Sequence, residues 1–402
     1  MRRRGCTAPP ARNAPAGLVE AMSRDAPQLA MVAGEASGDL LASLLLGGVR
    51  SRWPQAAAFG IGGPRMTALG FDAWWPCDKL AVRGYFEVLR HYREIAGIRR
   101  ALCERLLLRK PDAFIGIDAP DFNLGLAQRL REAGQRTIQF VCPSVWAWRA
   151  GRVKTIARAV DHVLCLFPFE PEILARGGVA ATFVGHPLAD EIPLQPPRDA
   201  SRAALGLGTA DEVVAVLPGS RRSEIEAIAP TFLQTVRRLH AQRQGLRFVL
   251  PAAPGLGAML EPLMRQHAPG TPLTLLEGRS HEVLAACDVT LIASGTATLE
   301  AALFKRPMVI AYRMNAWSWQ IMSRMRLQPW VGLPNILCRE FVVPELLQDD
   351  ATPDALARGV LQWLDSPQRR EAVAARFLEV HQLLKRDTAR TATDAIAKIL
   401  AF

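Results

Sequence analysis

Short apolar runs alternate with longer segments of helical periodicity along almost the whole chain. In the first half, longer segments such as residues 40–50 and 122–133 repeat apolar residues at helical spacing. The apolar runs have the length of buried strands, and this alternation is typical of parallel βαβ units. It predicts a first Rossmann-like domain over residues 28–190. The predicted strands of this domain are residues 29–33, 57–61, 113–117, 137–141, 162–166 and 182–184.

Prolines interrupt the pattern before it restarts. The three prolines of residues 193–197 lie in a stretch that breaks regular structure, which predicts a linker over residues 191–210. A second Rossmann-like domain is predicted over residues 211–350, and residues 351–402 are helical by composition. The predicted fold is therefore α/β, with two Rossmann-like domains facing a cleft and a helical tail packing across domains or subunits. The predicted strands of the second domain are residues 213–217, 247–250, 273–276, 289–293 and 308–312.

Composition and charge exclude several classes of protein. The 402 residues are 50% hydrophobic and 22% charged, and no apolar run approaches the roughly 20 residues of a membrane-spanning helix. The net charge of +11 favours anionic partners such as nucleotides, phosphates or acidic lipid headgroups. Only six of the 49 basic residues are Lys, a skew that genomic base composition explains equally well. No basic run is interleaved with aromatic residues, so nucleic acid is not expected as a partner.

The cysteines, the histidines and the N-terminus bear on the cellular compartment and on metal binding. The seven cysteines are scattered without a CxxC pair, which is typical of reduced residues in a cytosolic protein. The seven histidines form no HExxH or other ligand cluster, so no metal site is predicted. Residues 1–27 lack the apolar core of a secretory signal, and we expect a disordered extension in which Met22 is an alternative start.

Two loops of the first domain follow strands and carry acids. The segment at residues 32–39 offers Glu35, Ser37 and Asp39 at the start of a helix, where sugar hydroxyls or an anion would bind; a plain turn is the alternative. The segment IDAPDFN at residues 117–123 places two carboxylates beyond an apolar strand. One of them is a candidate general base, and the alternative is that both are caps or turn residues. No GxGxxG dinucleotide fingerprint is present, because GIGGPR at residues 60–65 lacks the third glycine.

The second domain repeats a strand, a glycine turn and a helix start at two places. In LPGSRRSE, residues 217–224, Gly219 and Ser220 offer backbone amides and Arg221 offers a guanidinium group, which together favour a diphosphate. A basic surface turn capped by a serine is the alternative.

The second of these loops is ASGTATLE at residues 293–300. Ser294, Gly295 and Thr296 offer donors to phosphate, and Glu300 can accept both hydroxyls of a ribose; the alternative is a helix cap with a solvated acid. The two loops together predict a nucleotide diphosphate site that needs no metal and no other cofactor.

Two aromatic-rich stretches lie at residues 71–90 and 317–330. Core packing is the default interpretation of their five tryptophans. A groove for acyl chains, or a patch at a membrane interface beside basic groups, is the functional alternative.

Taken in order, these loops resemble the lipid-A-disaccharide synthase family, inverting glycosyltransferases of the two-domain GT-B type. The resemblance extends from about residue 29 to about residue 347. The motifs that carry it are AGEASGD, FGIGGPRM, GYFEVL, IDAPDFN, PSVWAW, FPFE, GHPLAD, LPGSRRSEI, ASGTATLEAAL, YRM and LPNIL.

The resemblance implies two substrates, UDP-2,3-diacylglucosamine and 2,3-diacylglucosamine 1-phosphate, which are joined by a β-1,6 bond with release of UDP. It also implies a cytoplasmic protein held peripherally on the cytoplasmic face of the inner membrane. A homodimer is a possible partner arrangement, because the helical tail could pack onto a second subunit. The main alternative is a related UDP-sugar enzyme, either the peptidoglycan-precursor N-acetylglucosaminyltransferase or a UDP-N-acetylglucosamine epimerase. A non-catalytic membrane-surface binder would leave the two phosphate loops without a role.

The resemblance also implies roles for individual residues. Asp121 would take the proton from the acceptor 6-hydroxyl, and Arg221 would stabilise the departing UDP. Asn335 would contact the donor and His186 the acceptor, with a turn amide and a hinge histidine as the alternatives. Arg83 stands where an apolar residue is expected, which would alter acyl-chain contacts or membrane docking.

Overall fold

The computed structural model describes residues 26–80, 85–146, 151–325 and 327–402. The N-terminal residues 1–25, with Met22, lie outside these ranges, and so does Arg83. The side chains of residues 85–92 and of Trp317 are likewise outside the described part. The predictions made for these residues therefore stay predictions.

The first sheet comprises, in the described part of the chain, seven parallel strands: β1 (Gln28–Ala33), β2 (Ala57–Gly62), β3 (Asp72–Pro76), β4 (Ala113–Ile117), β5 (Thr137–Phe140), β6 (His162–Cys165) and β7 (Ala180–Phe183). Their order in space is β3-β2-β1-β4-β5-β6-β7. The central strands are buried on both faces, which explains their continuous apolar runs. The pattern missed β3, because this edge strand is largely exposed and ends in a proline.

The second sheet comprises, among the described residues, six parallel strands: β8 (Val213–Leu217), β9 (Arg247–Ala252), β10 (Leu273–Glu277), β11 (Val289–Ala293), β12 (Met308–Tyr312) and β13 (Glu345–Leu347). Their order is β10-β9-β8-β11-β12-β13. Every strand predicted from the apolar runs of this half is present. The pattern missed β13, because three residues are too few to show a periodicity.

Helices cover the faces of both sheets. They are α1 (Ala36–Arg52), α2 (Pro64–Ala68), α3 (Tyr85–Arg109), α4 (Pro120–Glu132), α5 (Arg152–Ala159), α6 (Glu170–Ala175), α7 (Pro187–Glu191), α8 (Arg198–Ala204), α9 (Arg222–Gln242), α10 (Gly257–His267), α11 (Ser280–Ala286), α12 (Thr296–Leu303), α13 (Ala316–Met325), α14 (Leu333–Cys338), α15 (Pro353–Leu364), α16 (Pro367–Leu384) and α17 (Thr388–Leu400). Among the described helices, none is both long and apolar enough to cross a membrane.

The proline-rich stretch between the sheets is more regular than predicted. It contains the short helices α7 and α8 where the sequence predicted a break in regular structure. Pro187 occupies the first turn of α7, and Pro197 immediately precedes α8. Proline is tolerated at these places because the first N–H groups of a helix have no partner within it.

The tail crosses from the second sheet back to the first. Helix α15 packs on α9, β11 and β12 of the second sheet, whereas α17 packs on α1 beside the first sheet. Between them, α16 contacts α7, α12 and α14. The last 50 residues therefore connect the two halves of the molecule by packing as well as by the chain.

Both sheets reverse their strand order at an equivalent place. The reversal lies between β1 and β4 in the first sheet and between β8 and β11 in the second. Ligands of open α/β sheets bind outside the carboxyl ends of the strands at such points. The four loops selected from the sequence leave β1, β4, β8 and β11, so all of them lie at these two reversal points.

Candidate active site

The loop after β4 places a buried carboxylate against the loop after β1. The N–H of Gly34 donates to Asp118 Oδ1 at 2.8 Å. A Cβ atom at Gly38 would lie 2.0 Å from Asp118 Oδ2, and one at Gly34 would lie 2.4 Å from the Cβ of Ala119. Glycine is therefore needed at both positions because the β4 loop approaches so closely.

The Asp118 carboxyl group is desolvated and only partly hydrogen-bonded. Its Oδ2 is buried and accepts no hydrogen bond from the described residues. Burial raises the pKa of Asp118 to about 7, the charge of Glu35 also raises it, and the amide of Gly34 opposes the shift. Asp118 and Ala119 adopt φ values of +50° and +35°, a strained region for residues other than glycine. A strained carboxyl that titrates near neutral pH is a candidate general base.

Asp121, the base predicted from the sequence, occupies different surroundings. Its side chain is 84% exposed and forms an ion pair with the largely buried Arg152. Asp118 and Arg152 line one cavity of about 260 Å³ together with Gln139 and Ser144. Asp121 reaches this cavity only through Arg152.

The three predicted sugar-positioning residues of the β1 loop divide into two kinds. Ser37 is exposed and donates through Oγ to Glu35 Oε1 at 2.5 Å, so both present polar atoms at the sheet edge. Asp39 is buried, and its two carboxylate oxygens accept from the backbone N–H groups of Gly63, Arg65 and Met66 at 2.9 to 3.2 Å. Asp39 thereby fixes the start of α2 on α1.

His186 and Glu170 are buried close to the loop that follows β6. His186 Nδ1 accepts from the N–H of Leu188 at 3.2 Å, and burial lowers the pKa of its ring to about 4. Glu170 accepts from Trp146 Nε1 at 3.0 Å and from the N–H of Phe167 at 3.1 Å, and burial raises the pKa of this carboxyl to about 8. The contacts of His186 fit a hinge residue at the start of α7.

In the loop after β8, the carboxylate of Glu224 accepts hydrogen bonds from the groups predicted to bind phosphate. Glu224 Oε2 accepts from the N–H groups of Ser220 and Arg221 at 2.9 and 3.2 Å, and its Oε1 accepts from the Arg221 guanidinium at 2.9 Å. The helix is therefore capped by Glu224 rather than by a serine. Gly219, at φ +120°, turns the backbone so that these donors converge. The same donors suit a phosphate oxygen.

The loop after β11 leaves polar groups accessible beside Glu300. Gly295 and Thr296 are exposed, whereas Ser294 Oγ donates to the carbonyl of Val331 at 3.2 Å. Glu300 is half-buried, with Oε2 at 3.6 Å from His281 Nε2. Glu300 accepts from the ring of His281, and this contact raises the pKa of His281. A carboxylate of α12 and an imidazole ring of α11 thus lie together beside this loop.

Asn335 is completely buried, and its side chain forms hydrogen bonds within the protein. Its Nδ2 donates to the carbonyl of Val343 and to Glu345 Oε1 at 2.9 and 2.8 Å, and its Oδ1 accepts from the N–H of Val343 at 3.0 Å. These bonds fix α14 against the segment that leads into β13. Both N–H groups of the amide are therefore already engaged.

Three residues near the site were not among the individually predicted site residues. Asp118 was one of the two IDAPDFN carboxylates considered as a base, and the resemblance selected Asp121 instead. Glu170 and His281 carried no signal in the sequence, because their roles depend on contacts with Trp146 and Glu300 that only folding creates. In the described ranges, no group of three or more His, Cys, Asp or Glu residues has the arrangement of a metal site.

Structures that resemble this one share its two-domain architecture at low sequence identity. UDP-GlcNAc 2-epimerase from Neisseria meningitidis matches with a TM-score of 0.64 at 10% identity, covering 92% of this chain and 100% of that one. MurG of Acinetobacter baumannii matches with a TM-score of 0.58 at 13% identity, covering 92% and 99%. These likenesses show the fold, that of GT-B glycosyltransferases, and nothing more specific.

Relatives found by sequence similarity identify the family of the chain. Lipid-A-disaccharide synthase of Albidiferax ferrireducens is 59% identical over 378 residues, covering 93% of this chain and 97% of the relative. The protein of that name from Burkholderia mallei is 56% identical, covering 93% and 96%. The family model described as lipid-A-disaccharide synthetase matches residues 29–399. The chain therefore belongs to the lipid-A-disaccharide synthetase family.

Proposed function

We propose that this chain is an inverting glycosyltransferase that joins UDP-2,3-diacylglucosamine to 2,3-diacylglucosamine 1-phosphate. The products are the β-1,6-linked disaccharide 1-phosphate and UDP. The observation that carries the proposal is the 56–59% identity, over 93% of the chain, to proteins named lipid-A-disaccharide synthase. An α-linked donor that gives a β product needs one in-line displacement, and hence one base and one site for the leaving group.

Asp118 is the better candidate for the base. Its carboxyl has one buried oxygen without a partner among the described residues, and burial raises its pKa to about 7. At neutral pH it is therefore a stronger base than an ordinary carboxylate and is still partly ionised. Asp121 is exposed and already compensated by Arg152. We therefore assign Asp121 a positioning role, in which it holds Arg152 at the rim of the Asp118 cavity.

The leaving group is assigned to the second domain. Arg221 and the amides that follow Gly219 and Gly295 would stabilise the charge that develops on the β-phosphate of UDP. Ser220 and Thr296 lie on the same two loops, and both are exposed. Because Glu224 occupies the donors of the β8 loop in the free protein, a phosphate would displace it or share Arg221 with it.

The remaining site residues support the proposed base site around Asp118, which we call the first centre, and the proposed UDP site of the second domain, which we call the second centre. Glu300 would accept the ribose hydroxyls, and Glu35 and Ser37 would contact a sugar. The contacts of Asp39, His186 and Asn335 favour structural roles in holding the loops. Ser294, bonded to Val331, would contribute to the donor site through its backbone.

The proposed cellular location follows from the proposed substrates. Two diacylated sugars are available at a membrane, and a net charge of +11 favours association with acidic headgroups. We propose a peripheral location on the cytoplasmic face of the inner membrane. A homodimer formed through the tail helices is part of the same proposal.

Incubation of the purified chain with both diacylated substrates tests the function. Mass spectrometry is expected to detect a tetra-acyl disaccharide 1-phosphate together with UDP. Equal turnover of UDP-N-acetylglucosamine without acyl chains would contradict the proposal and favour the peptidoglycan-type transferase. Conversion of UDP-N-acetylglucosamine to its 2-epimer would instead favour the epimerase.

A further inference from the structure

A cavity of about 580 Å³ lies beside the Asp118 cavity, between the two halves of the molecule. The first half contributes Trp146 and Phe169, whose rings meet edge to face at 5.4 Å, together with Ile173 of α6. The second half contributes Leu327 and Trp330 from the segment between α13 and α14. Trp146 is held in place by its hydrogen bond to buried Glu170. The lining is mainly aromatic and aliphatic, as a hydrocarbon chain requires.

Cationic side chains accompany this apolar lining. Lys154 of α5, Arg176 after α6 and Arg339 after α14 all line the cavity. Arg176 is paired with Glu172 at 2.7 Å, whereas neither Lys154 nor Arg339 forms an ion pair with any described residue. Two cations from opposite halves are thus left to meet an anion from outside the protein.

Two buried donors in the lining also have no acceptor. The Nε1 of Trp330 and the Nε2 of Gln328 are inaccessible to solvent and have no hydrogen-bond partner among the described residues. An unpaired buried donor is costly, and a ligand oxygen would remove that cost once either side chain turns toward the cavity. The ester, amide and hydroxyl oxygens near the head of an acyl chain are acceptors of the right kind.

The cavity adjoins the proposed base directly along the chain. Ser144 and Arg152 line the Asp118 cavity, and the residues that follow them, Val145 and Val153, line the larger one. In the proposed arrangement, one molecule extends from the base into the apolar cavity. In a diacylglucosamine 1-phosphate, the 6-hydroxyl, the phosphate and the acyl chains all belong to one sugar.

We propose that this cavity binds the acceptor lipid, with an acyl chain on the aromatic lining and the 1-phosphate against Lys154 and Arg339. The assignment rests on the proposed function. The phosphates of the donor belong to UDP, for which the loops at Arg221 and Gly295 provide the donors. We therefore assign Lys154 and Arg339 to the phosphate of the acceptor, which carries no nucleotide.

The double variant Lys154→Gln with Arg339→Gln tests the phosphate contact. We expect the KM for the acceptor to rise at least about tenfold, because two charge-assisted contacts are lost, while the donor KM and kcat stay within about twofold of the wild type. Arg358→Gln is the matched control, because it removes an exposed arginine of α15. An unchanged acceptor KM, or an equal rise of both KM values, would overturn the assignment.

Ile173→Trp tests the acyl contact, because it fills part of the cavity. The acceptor KM is expected to rise more for a long-chain acceptor than for a short-chain one, and equal rises would contradict an acyl site. Vesicles that contain phosphatidylglycerol test a rival occupant. If the double variant loses vesicle binding while its acceptor KM in detergent is unchanged, the cations dock a lipid surface and the proposal fails.

Wild-type product formation is recorded in the same assays. Without disaccharide from the wild type, the proposed function itself is wrong. With an active wild type and unaltered acceptor kinetics in the variants, only this inference is wrong.

Discussion

The two reversal points of the sheets have the same topology and opposite electrostatic character. In the first sheet, the loops after β1 and β4 bury the carboxylates of Asp39 and Asp118. In the second sheet, the loops after β8 and β11 present Arg221 and backbone amides at the surface. Topology therefore selects where a ligand binds, and the loop residues select which chemistry takes place there.

The difference between Asp118 and Glu224 shows how this selection works. Both carboxylates accept backbone N–H groups near the start of a helix. Glu224 also faces the guanidinium of Arg221, whereas Asp118 pairs with no cation among the described residues and leaves Oδ2 unsatisfied there. Burial that the described residues do not compensate raises the pKa of Asp118, as the proposed base requires. Glu224, in contrast, lies on the donors that the proposed phosphate site would use.

Asp118→Asn is expected to have the largest effect on the first centre. Loss of a general base lowers kcat by about 10² to 10⁴, while the donor KM changes little because the second sheet is untouched. Steady-state kinetics with both diacylated substrates measure this. Asp121→Asn is the matched control and is expected to retain far more activity. The reverse ranking would return the role of base to Asp121.

Arg221→Ala is the corresponding test of the second centre. We expect turnover to fall at least about tenfold, because one charge-assisted bond contributes about 1.5 to 3 kcal/mol. Arg222→Ala removes a neighbouring exposed arginine and controls for net charge. If both variants lost activity equally, the loop would act through its general charge rather than through a directed contact.

The pH profile of the reaction tests the role of Asp118 without mutation. Because the pKa of Asp118 is raised to about 7, its basic form is lost as the pH falls below that value. The kcat/KM is expected to be constant above pH 8 and to decline below pH 7, reaching about one tenth of the plateau at pH 6. Rates recorded from pH 5.5 to 9 measure this, and a flat profile across pH 7 would argue against Asp118.

Glu300→Gln should have a smaller effect, confined to the donor. The Glu300 carboxylate accepts from the ring of His281 and raises its pKa, so this variant is expected to lower that pKa, as an NMR titration would measure. The donor KM should rise about threefold, as expected for one weakened hydrogen bond to a neutral hydroxyl. A shifted histidine with an unchanged donor KM would limit Glu300 to a structural role.

Addition of EDTA is expected to have no effect on turnover. Arg221 and backbone amides are proposed to do at the phosphate what a divalent cation does elsewhere. Initial rates with and without chelator measure this. Loss of activity that Mg²⁺ restores would show that the second centre is incomplete without a metal.

Much of the fold was accessible from the chain alone. The apolar runs of β1, β4, β8 and β11 are nearly continuous, because strands buried on both faces tolerate few polar residues. Edge strands are free of this constraint, so β3 and β13 gave no comparable signal. The helices α7 and α8 were missed because a proline in the first turn, as in α7, or just before it, as in α8, resembles a break in regular structure.

The sequence by itself determined the order of elements, the positions of the four candidate ligand loops and the family, since these depend on local composition and short motifs. Only the tertiary structure distinguished Asp118 from Asp121, which lie three residues apart in the same motif. It also engaged the polar atoms of Asp39 and Asn335 inside the protein and brought residues of both halves around one apolar cavity. Desolvation and ion pairing depend on what surrounds a group in space, and the neighbours that supply them come from distant parts of the chain.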